Sequence, residues 1–346
     1  MLKKHLEYVR IRILPTLREK VFQTWGRNLL FVLLACIALL TAVLLAHAAL
    51  FGPPSTDGLR EDFIVHPDET LDEVAATLHE AGFVKYGYVF KFAYTFVRSD
   101  VSIRPGGYKL ARDMDVWTIG KMLGQAPYLS WVSIPSGKRK EEVATILMES
   151  LGWTKEQRQE WLSATELNSD IQEGIYFPDT YLIPSDQPPA QLVARLRGRF
   201  EEAFAPYASE VAAKKVPWTD IVTMASLVEK EAAKNDKALV AGILWNRINK
   251  NMKLQVDATL QYIEGTEEKW WPAPDPELKA TSSPFNTYKH VGLPPQPIAS
   301  PSLASIEAVL RPQKTTCLYY LHDNYGRIHC ANNYATHKAN INRYLR

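Results

Sequence analysis

The sequence predicts an α+β protein: a single N-terminal transmembrane helix, a small β-α-α-β module, then a mixed α+β domain. Three observations carry this prediction. One uninterrupted apolar run, LLFVLLACIALLTAVLLA from Leu29 to Ala46, is long enough to cross a bilayer as a helix. Short extended runs bounded by Gly, Pro and Asp alternate with stretches whose apolar residues recur every three or four positions. A chain of 346 residues, 46% hydrophobic and 23% charged, can bury a sizeable core as about two folded units. The expected boundaries are a basic segment at 1–28, the transmembrane helix at 29–50, a linker at 51–60, the small module at 61–127 and the large domain at 128–346.

The formal net charge of +2 is too balanced to make nucleic acid the main partner. Charge is instead concentrated at the start. From Met1 to Asn28, Lys3, Lys4, Arg10, Arg12, Arg18, Lys20 and Arg27 face only Glu7 and Glu19. By the positive-inside rule this flank stays in the cytoplasm, and everything after Phe51 lies on the periplasmic or extracytoplasmic side of the inner (plasma) membrane. The alternative is a cleaved signal peptide ending at the Ala46-His47-Ala48 pattern, but the apolar run is too long and the basic leader too extended. Cys36 falls in the membrane run. Cys317 and Cys330 fall in the exported part, where a disulfide is chemically permitted, and they flank an expected hairpin; whether they pair is open. The spacing of His322, His329 and His337 matches no tetrahedral zinc site, and no nucleotide, flavin or metal motif stands out, so no cofactor is expected.

After the breaker-rich linker GPPSTDG, the run FIVHPDETLDEVAATLHEAGF gives a short strand, a polar turn and a helix starting near Thr70. Asp68 or Thr70 can cap that helix, and Leu71, Val74, Ala75 and Leu78 recur at helical spacing. A second helix from about Tyr86 to Val97 and a strand around Gly107 to Leu110 complete the unit. This order and size resemble a LysM-like module, a small fold that often contacts peptidoglycan glycans. A purely structural subdomain is the alternative.

In the large domain, WVSIPSGKRKEEVATI from Trp131 to Ile146 reads as strand, turn and helix, and EGIYFPDTYLIP from Glu173 to Pro184 as loop and strand. Tyr176, Phe177 and Tyr181 can either stack on sugar faces or fill the core. Further on, Ile221, Val222, Met224, Ala225 and Val228 form an apolar stripe on an expected amphipathic helix, buried on one side, with Asp220 or Thr219 as N-cap. Three and four positions either side of Glu229 stand Ala225, Ser226, Ala232 and Ala233, all small. They leave room beside its carboxylate, and the stripe is expected to desolvate it and raise its pKa toward that of a general acid. Glu231, two residues on, is expected to point across the helix. The alternative for this EKEAAK segment is an ordinary exposed helix with a salt bridge through Lys230 or Lys234.

The company this helix keeps narrows the choice. Glu229-Lys230-Glu231-Ala232, then Asn246-Arg247-Ile248, Met252, Leu254-Gln255, Asp257-Ala258-Thr259, Tyr262, Ser283 to Tyr288 and Gly292-Leu293-Pro294-Pro295 resemble the YceG-like family of endolytic murein transglycosylases in order and spacing. The resemblance implies cleavage of nascent glycan strands between N-acetylmuramic acid and N-acetylglucosamine, leaving 1,6-anhydromuramic ends, with Glu229 as the essential acid. It further implies contacts to substrate from Gln255, Asp257, Thr259, Asn286, Thr287, Tyr288 and Glu231, any of which can equally be a turn or supporting residue. Membrane-bound peptidoglycan synthases are the candidate partners. Two positions depart from the family pattern: Asp236 is the nearest candidate for a further acidic residue at shortened spacing, and Ser136 stands where a glutamate is often found. Trp270 and Trp271 are expected in loops around the groove. The C-terminal run from Ile306 is expected to give a helix, a hairpin and a final basic helix that complete the domain. Two alternatives remain: a hydrolase using Asp257 or Asp236 as second carboxylate, and a non-catalytic glycan-binding scaffold.

Overall fold

The computed structural model describes residues 14–97, 102–167, 171–233 and 235–345, with side chains of the first helix described at Trp25 and from Asn28 onward. The basic residues up to 13, and Lys234, lie outside the described residues. The chain divides into two compact units, Met1–Pro127 and Tyr128–Arg346.

The first unit begins with α1 (Leu14–Phe51), whose stretch Asn28–Phe51 has a mean hydropathy of 3.1 and is exposed from residue 28 to 50, with Phe51 half-buried. This is one helix long and apolar enough to cross a membrane. It is followed by β1 (Glu61–Val65), α2 (Leu71–Glu80), α3 (Gly87–Val97), β2 (Gly106–Leu110) and α4 (Val116–Leu123). Helix α2 starts where it does because Thr70 and Glu73 cap it reciprocally: Glu73 N–H donates to Thr70 Oγ1 at 3.3 Å and Thr70 N–H to Glu73 Oε2 at 2.8 Å. Asp68, the other candidate cap, instead occupies the preceding turn at φ +72°. Val74, Ala75 and Leu78 point inward against Phe63 and Val65 of β1, which pairs antiparallel with β2. The β-α-α-β order expected from the sequence is present, and α4, capped by Asp115, extends it.

The second unit contains β3 (Leu129–Ser133), α5 (Lys140–Leu151), α6 (Lys155–Glu166), β4 (Thr180–Pro184), α7 (Pro189–Phe204), α8 (Ala208–Lys214), α9 (Trp218–Glu231), α10 (Lys237–Asn249), α11 (Asp257–Glu264), α12 (Leu303–Leu310), β5 (Tyr319–His322), β6 (Ile328–Ala331) and α13 (Tyr334–Tyr344). Strands β3 and β4 pair antiparallel, as do β5 and β6. At the centre lies α9. Its eight residues from Ile221 to Val228 are all buried, so it is a core helix enclosed on every side rather than the one-sided helix its stripe predicts. Its first turn follows Pro217, with no side-chain cap from Thr219 or Asp220. It ends at Glu231, and Ala232 is already extended, so Ala232 and Ala233 are not helical neighbours of Glu229. Helices α10, α11 and α12 pack around it.

Two of the sequence motifs prove to be fasteners. Asn246 Nδ2 donates to the carbonyls of Thr315 and Cys317 at 2.8 and 3.1 Å, while Arg247 donates to Leu318 O at 2.6 Å and Leu254 O at 2.7 Å. The pair therefore ties the C-terminal hairpin to the loop that leads into α11. Cys317 and Cys330 form a disulfide across that hairpin, with Cα atoms 5.8 Å apart. Closing a loop of this length contributes about 3 kcal/mol by restricting the unfolded chain. His322 pairs with Asp236, His329 with Asp323, and His337 stacks on Tyr319. Tyr176 and Tyr181 are core residues whose hydroxyls donate to backbone carbonyls, and Phe177 is buried under Arg199. Tyr176 is enclosed, whereas Phe177 and Tyr181, though largely buried, each border a surface hollow.

Candidate active site

Glu229 emerges on the last turn of α9, where the buried helix reaches the surface. Its neighbours Ala225 and Ser226 are fully buried, and their small size lets the segment Ile298–Ser302 approach closely. Ser226 Oγ accepts a hydrogen bond from Ile298 N–H at 3.1 Å. That segment exchanges two backbone hydrogen bonds with the turn after β3, Gly137 N–H to Ser300 O and Ser300 N–H to Lys138 O, both 2.8 Å. Gly137 holds φ +74° there, a conformation that favours glycine, and its α-carbon faces the Glu229 and Lys230 side chains. Two strand-like segments are thus locked together over the end of α9.

The result is a carboxylate held by four side chains. Oε1 accepts from Ser136 Oγ at 2.7 Å. Oε2 accepts from Lys237 Nζ at 2.8 Å, Ser302 Oγ at 2.6 Å and Ser302 N–H at 3.1 Å, and also from Ser305 Oγ. Lys237 opens α10 and also reaches Ser302 and Ser305. Ser302 is the N-cap of α12, so the carboxylate faces the positive end of that helix as well. Burial pushes the Glu229 carboxyl up, but the Lys237 ammonium and the Ser302, Ser305 and Ser136 hydroxyls outweigh it and hold the group at about 2. This corrects the sequence expectation of a raised value. Desolvation acts as anticipated, but the donors that oppose it come from segments distant in sequence.

Glu231 is governed differently. Its Oε2 accepts from Tyr320 OH at 2.8 Å and its Oε1 from Ala258 N–H at 3.3 Å, at the start of α11. Burial raises its carboxyl above the ordinary carboxylate range, and no cation hydrogen-bonds to it among the described residues. The two glutamates share no hydrogen-bonding partner in the described residues. Asp257 accepts from Tyr288 OH next to this second cluster.

The other candidate residues fall into two groups. Asn286, Thr287 and Thr259 are buried. Asn286 Nδ2 is committed to the carbonyls of Thr281, Leu278 and Lys279, and its Oδ1 accepts from Tyr288 N–H. Thr287 and Thr259 bond to each other and to Val256. These three brace the loop before α11. Gln255 is exposed at φ +53° and accepts from Arg247, while Asp257 and Tyr288 are half-buried. Among the described residues Lys230 forms no ion pair of the kind the alternative reading expects, and Lys234 lies outside them. The Lys230 ammonium lies 3.5 Å from the centre of the Trp271 ring, and Trp271 Nε1 donates to Glu142. Trp270 lies against Arg139.

An open groove of about 560 Å³ begins at Ser136 and Ser302, the partners of Glu229, and runs past Ser133, Asp179, Thr180 and Arg199. A second hollow of about 420 Å³ shares Asp179, Thr180 and Arg199 and extends the groove along α7. Its walls carry hydroxyls and an accessible Arg199–Asp179 pair at 2.8 Å, which alternate donors and acceptors. A cavity of about 610 Å³ beside Phe200 and Trp218 lies at the other end of α9, roughly 16 Å along the helix from Glu229, too far to serve its carboxylate. Sequence reasoning missed Lys237, Ser302 and Ser305 altogether. The N-cap pattern of Ser302 before LASIEAVL was a visible signal of a helix start there.

The sequence profile of the YceG-like family matches residues 63–343, which include both glutamates and the groove. The chain belongs to the YceG-like family. It is 30% identical over 312 residues to the endolytic murein transglycosylase of Streptococcus pneumoniae, an alignment covering 78% of this chain and 56% of that relative. It is 28% identical over 285 residues to the endolytic murein transglycosylase of Bacillus subtilis, covering 75% and 78%. The chain thus spans little more than half the length of the pneumococcal relative. A crystal structure of a YceG-like protein from Listeria monocytogenes shares the fold with a TM-score of 0.56 at 24% identity, covering 82% of this chain and 99% of that one. Within this YceG-like chain, the EKE motif supplies Glu229 and Glu231 to two separate clusters, and the NR pair serves as a clip. Ser136 touches the Glu229 carboxylate directly.

Proposed function

We propose that this protein is a membrane-anchored endolytic peptidoglycan transglycosylase with Glu229 as its catalytic residue. The observation that carries the reading is one buried carboxylate, fixed by four side chains and one backbone N–H, whose partners Ser136 and Ser302 line an open groove. A hydrolytic glycosidase needs two carboxylates, one of them to activate water or attack the sugar. Here Asp257 and Asp236 are committed to Tyr288 and His322, which favours chemistry that needs one. In a transglycosylase the C6 hydroxyl of the muramic sugar attacks its own C1. The C1–O bond to the leaving N-acetylglucosamine breaks, and the leaving oxygen takes a proton from Glu229. The proton released from the C6 hydroxyl then returns to Glu229. Intramolecular attack of this kind can be worth an effective molarity of about 10⁵ M or more.

The free site holds Glu229 as a carboxylate, so substrate binding must load it with a proton. A glycan in the groove excludes water and competes for the Ser136 and Ser302 hydroxyls. That strengthens the burial effect that raises the carboxyl and removes donors that lower it. Lys237 and Ser305 are the positioning residues that keep the carboxylate aimed meanwhile. Gln255, Asp257, Tyr288 and Glu231 lie around the loop before α11, where they contact the strand or support its wall.

In this reading residues 29–50 anchor the protein in the inner membrane with the N-terminus in the cytoplasm. The unit at 61–127 acts as a LysM-like glycan-contacting module and 128–346 as the catalytic domain, acting on strands close to the synthases that make them. Digestion of uncrosslinked glycan strands with mass analysis of the new ends tests the reaction. Ends lighter by one water than hydrolysed ends support it; hydrolysed ends or intact strands overturn it.

A further inference from the structure

Helix α3, GYVFKFAYTFV, carries a single charge, Lys91, and is apolar on both faces. One face, with Val89, Phe90, Ala93 and Tyr94, is buried in the core of the first unit. The other is not. Tyr88, Phe92 and Phe96, at four-residue spacing, are 66%, 59% and 76% exposed. Soluble helices normally oppose a buried face with a polar one, so this second apolar face calls for an environment other than water.

The place of that face identifies the environment. Phe51, the last residue of α1, has its ring 5.3 Å from Trp117 and 6.3 Å from Phe92; Phe92 is 6.1 Å from Phe96, and Phe96 is 6.3 Å from Trp117. The four rings close into one cluster at the point where the apolar helix ends. Lys85 donates to Ala48 O in the last turn of α1, and Tyr86 and Tyr88 pair beside it at 5.5 Å. Aromatic rings with lysine and tyrosine at the end of an apolar span are the composition of a membrane interface, where an apolar body meets lipid and a polar tip meets water. The interfacial layer is only about 6 Å deep on each side of the hydrocarbon. Rings in contact with the end of the span must therefore lie in it or border it.

We propose that the exposed face of α3, joined to Phe51 and Trp117, is seated in the headgroup and upper acyl layer of the bilayer that α1 crosses. This holds the first unit directly against the membrane surface instead of on a free tether. The proposal rests on α1 being a membrane span and is independent of the catalytic reading.

The test uses the full chain with Cys36→Ser, since Cys36 is the free thiol and the other two cysteines are bonded. A nitroxide label is placed in turn at Tyr88→Cys, Phe96→Cys and, for comparison, the exposed Glu80→Cys on α2. The protein is reconstituted in phosphatidylethanolamine–phosphatidylglycerol vesicles. Collision with oxygen, which concentrates in lipid, is compared with collision with a water-soluble nickel chelate. The expected result is an oxygen-to-nickel ratio at positions 88 and 96 severalfold above that at 80, falling when the vesicles are dissolved in detergent and the labels stripped of lipid order. Protein that floats with vesicles but leaves 88 and 96 as open to nickel as 80 overturns the proposal and leaves the anchor standing. Labels shielded from both reagents would mean a protein cover, which also overturns it. Failure to float removes the span and the proposal together, without bearing on glycan cleavage.

Discussion

Glu229 and Glu231 stand two residues apart at the end of one helix, yet the protein pushes their carboxyls in opposite directions. Both are withdrawn from water, and in both burial is the largest single influence, acting upward. The difference lies in the partners. Glu229 meets an ammonium, three hydroxyls and one amide; Glu231 meets one phenol and one amide. A third carboxyl extends the comparison. Glu173 is fully buried and, among the described residues, accepts only the backbone N–H groups of Lys140 and Gly174, and burial lifts it to about 8. Burial alone is therefore a poor guide to which acid is poised for chemistry; the number and charge of the donors decide.

The comparison breaks first at Glu229. Glu229→Gln is expected to reduce glycan cleavage by about 10³-fold, the range for loss of a general acid–base residue, while the melting temperature stays close to that of wild type. Equal turnover by this variant would remove Glu229 from the reaction. Lys237→Met is next. It removes a hydrogen bond to a charged group, worth about 1.5–3 kcal/mol, or about tenfold or more in rate. It also raises the Glu229 carboxyl, so more of the acid form is present at neutral pH and the alkaline limb of kcat/KM moves to higher pH. A profile measured from pH 4 to 9 that stays in place would show that Lys237 is only structural.

Glu231→Gln is expected to lower activity by less than about tenfold and stability by about 1 kcal/mol, since Tyr320 keeps an acceptor but a shaped network is disturbed. Urea unfolding alongside the activity assay checks both. If it matched Glu229→Gln in activity, the division of roles between the two clusters would fail. The smallest effect on rate is expected from Glu173→Gln, which sharpens the role of burial. The Glu173 carboxyl sits near 8 in the fold and near its ordinary 4.5 when unfolded. The folded state thus keeps a proton that the unfolded chain releases, and stability falls as pH rises from about 4.5 through 8. The variant should flatten that fall in thermal unfolding between pH 5 and 8. Glu229 has the reverse sign: its contribution is present above 4.5 and is lost as pH falls toward 2.

Local physics made much of this molecule legible in advance. The Thr70 cap, the inward spacing of Val74 and Leu78 and the strand–turn–helix from Trp131 all depend on residues a few positions apart. Family motifs pointed to Glu229. Its environment was hidden for a physical reason: Ser136, Ser302 and Ser305 reach it across 93, 73 and 76 residues, and no local pattern encodes their meeting. The end of α9 was misjudged because Ala232 and Ala233 are good helix formers, yet the chain turns extended there and delivers Lys237 back to Glu229. Asn286 and Thr287 looked like sugar ligands because amides and hydroxyls suit sugars; the fold spends them on its own carbonyls and hydroxyls.

The central claim is that one carboxylate, Glu229, carries the reaction and the sugar's own hydroxyl completes it. The most direct measurement is mass analysis of the ends released from uncrosslinked glycan strands, with wild type and Glu229→Gln side by side in water enriched in oxygen-18. The account predicts anhydro ends without label from wild type and none from the variant. Ends carrying the heavy oxygen would show that water attacks, and anhydro ends from the variant would show that another residue does the work.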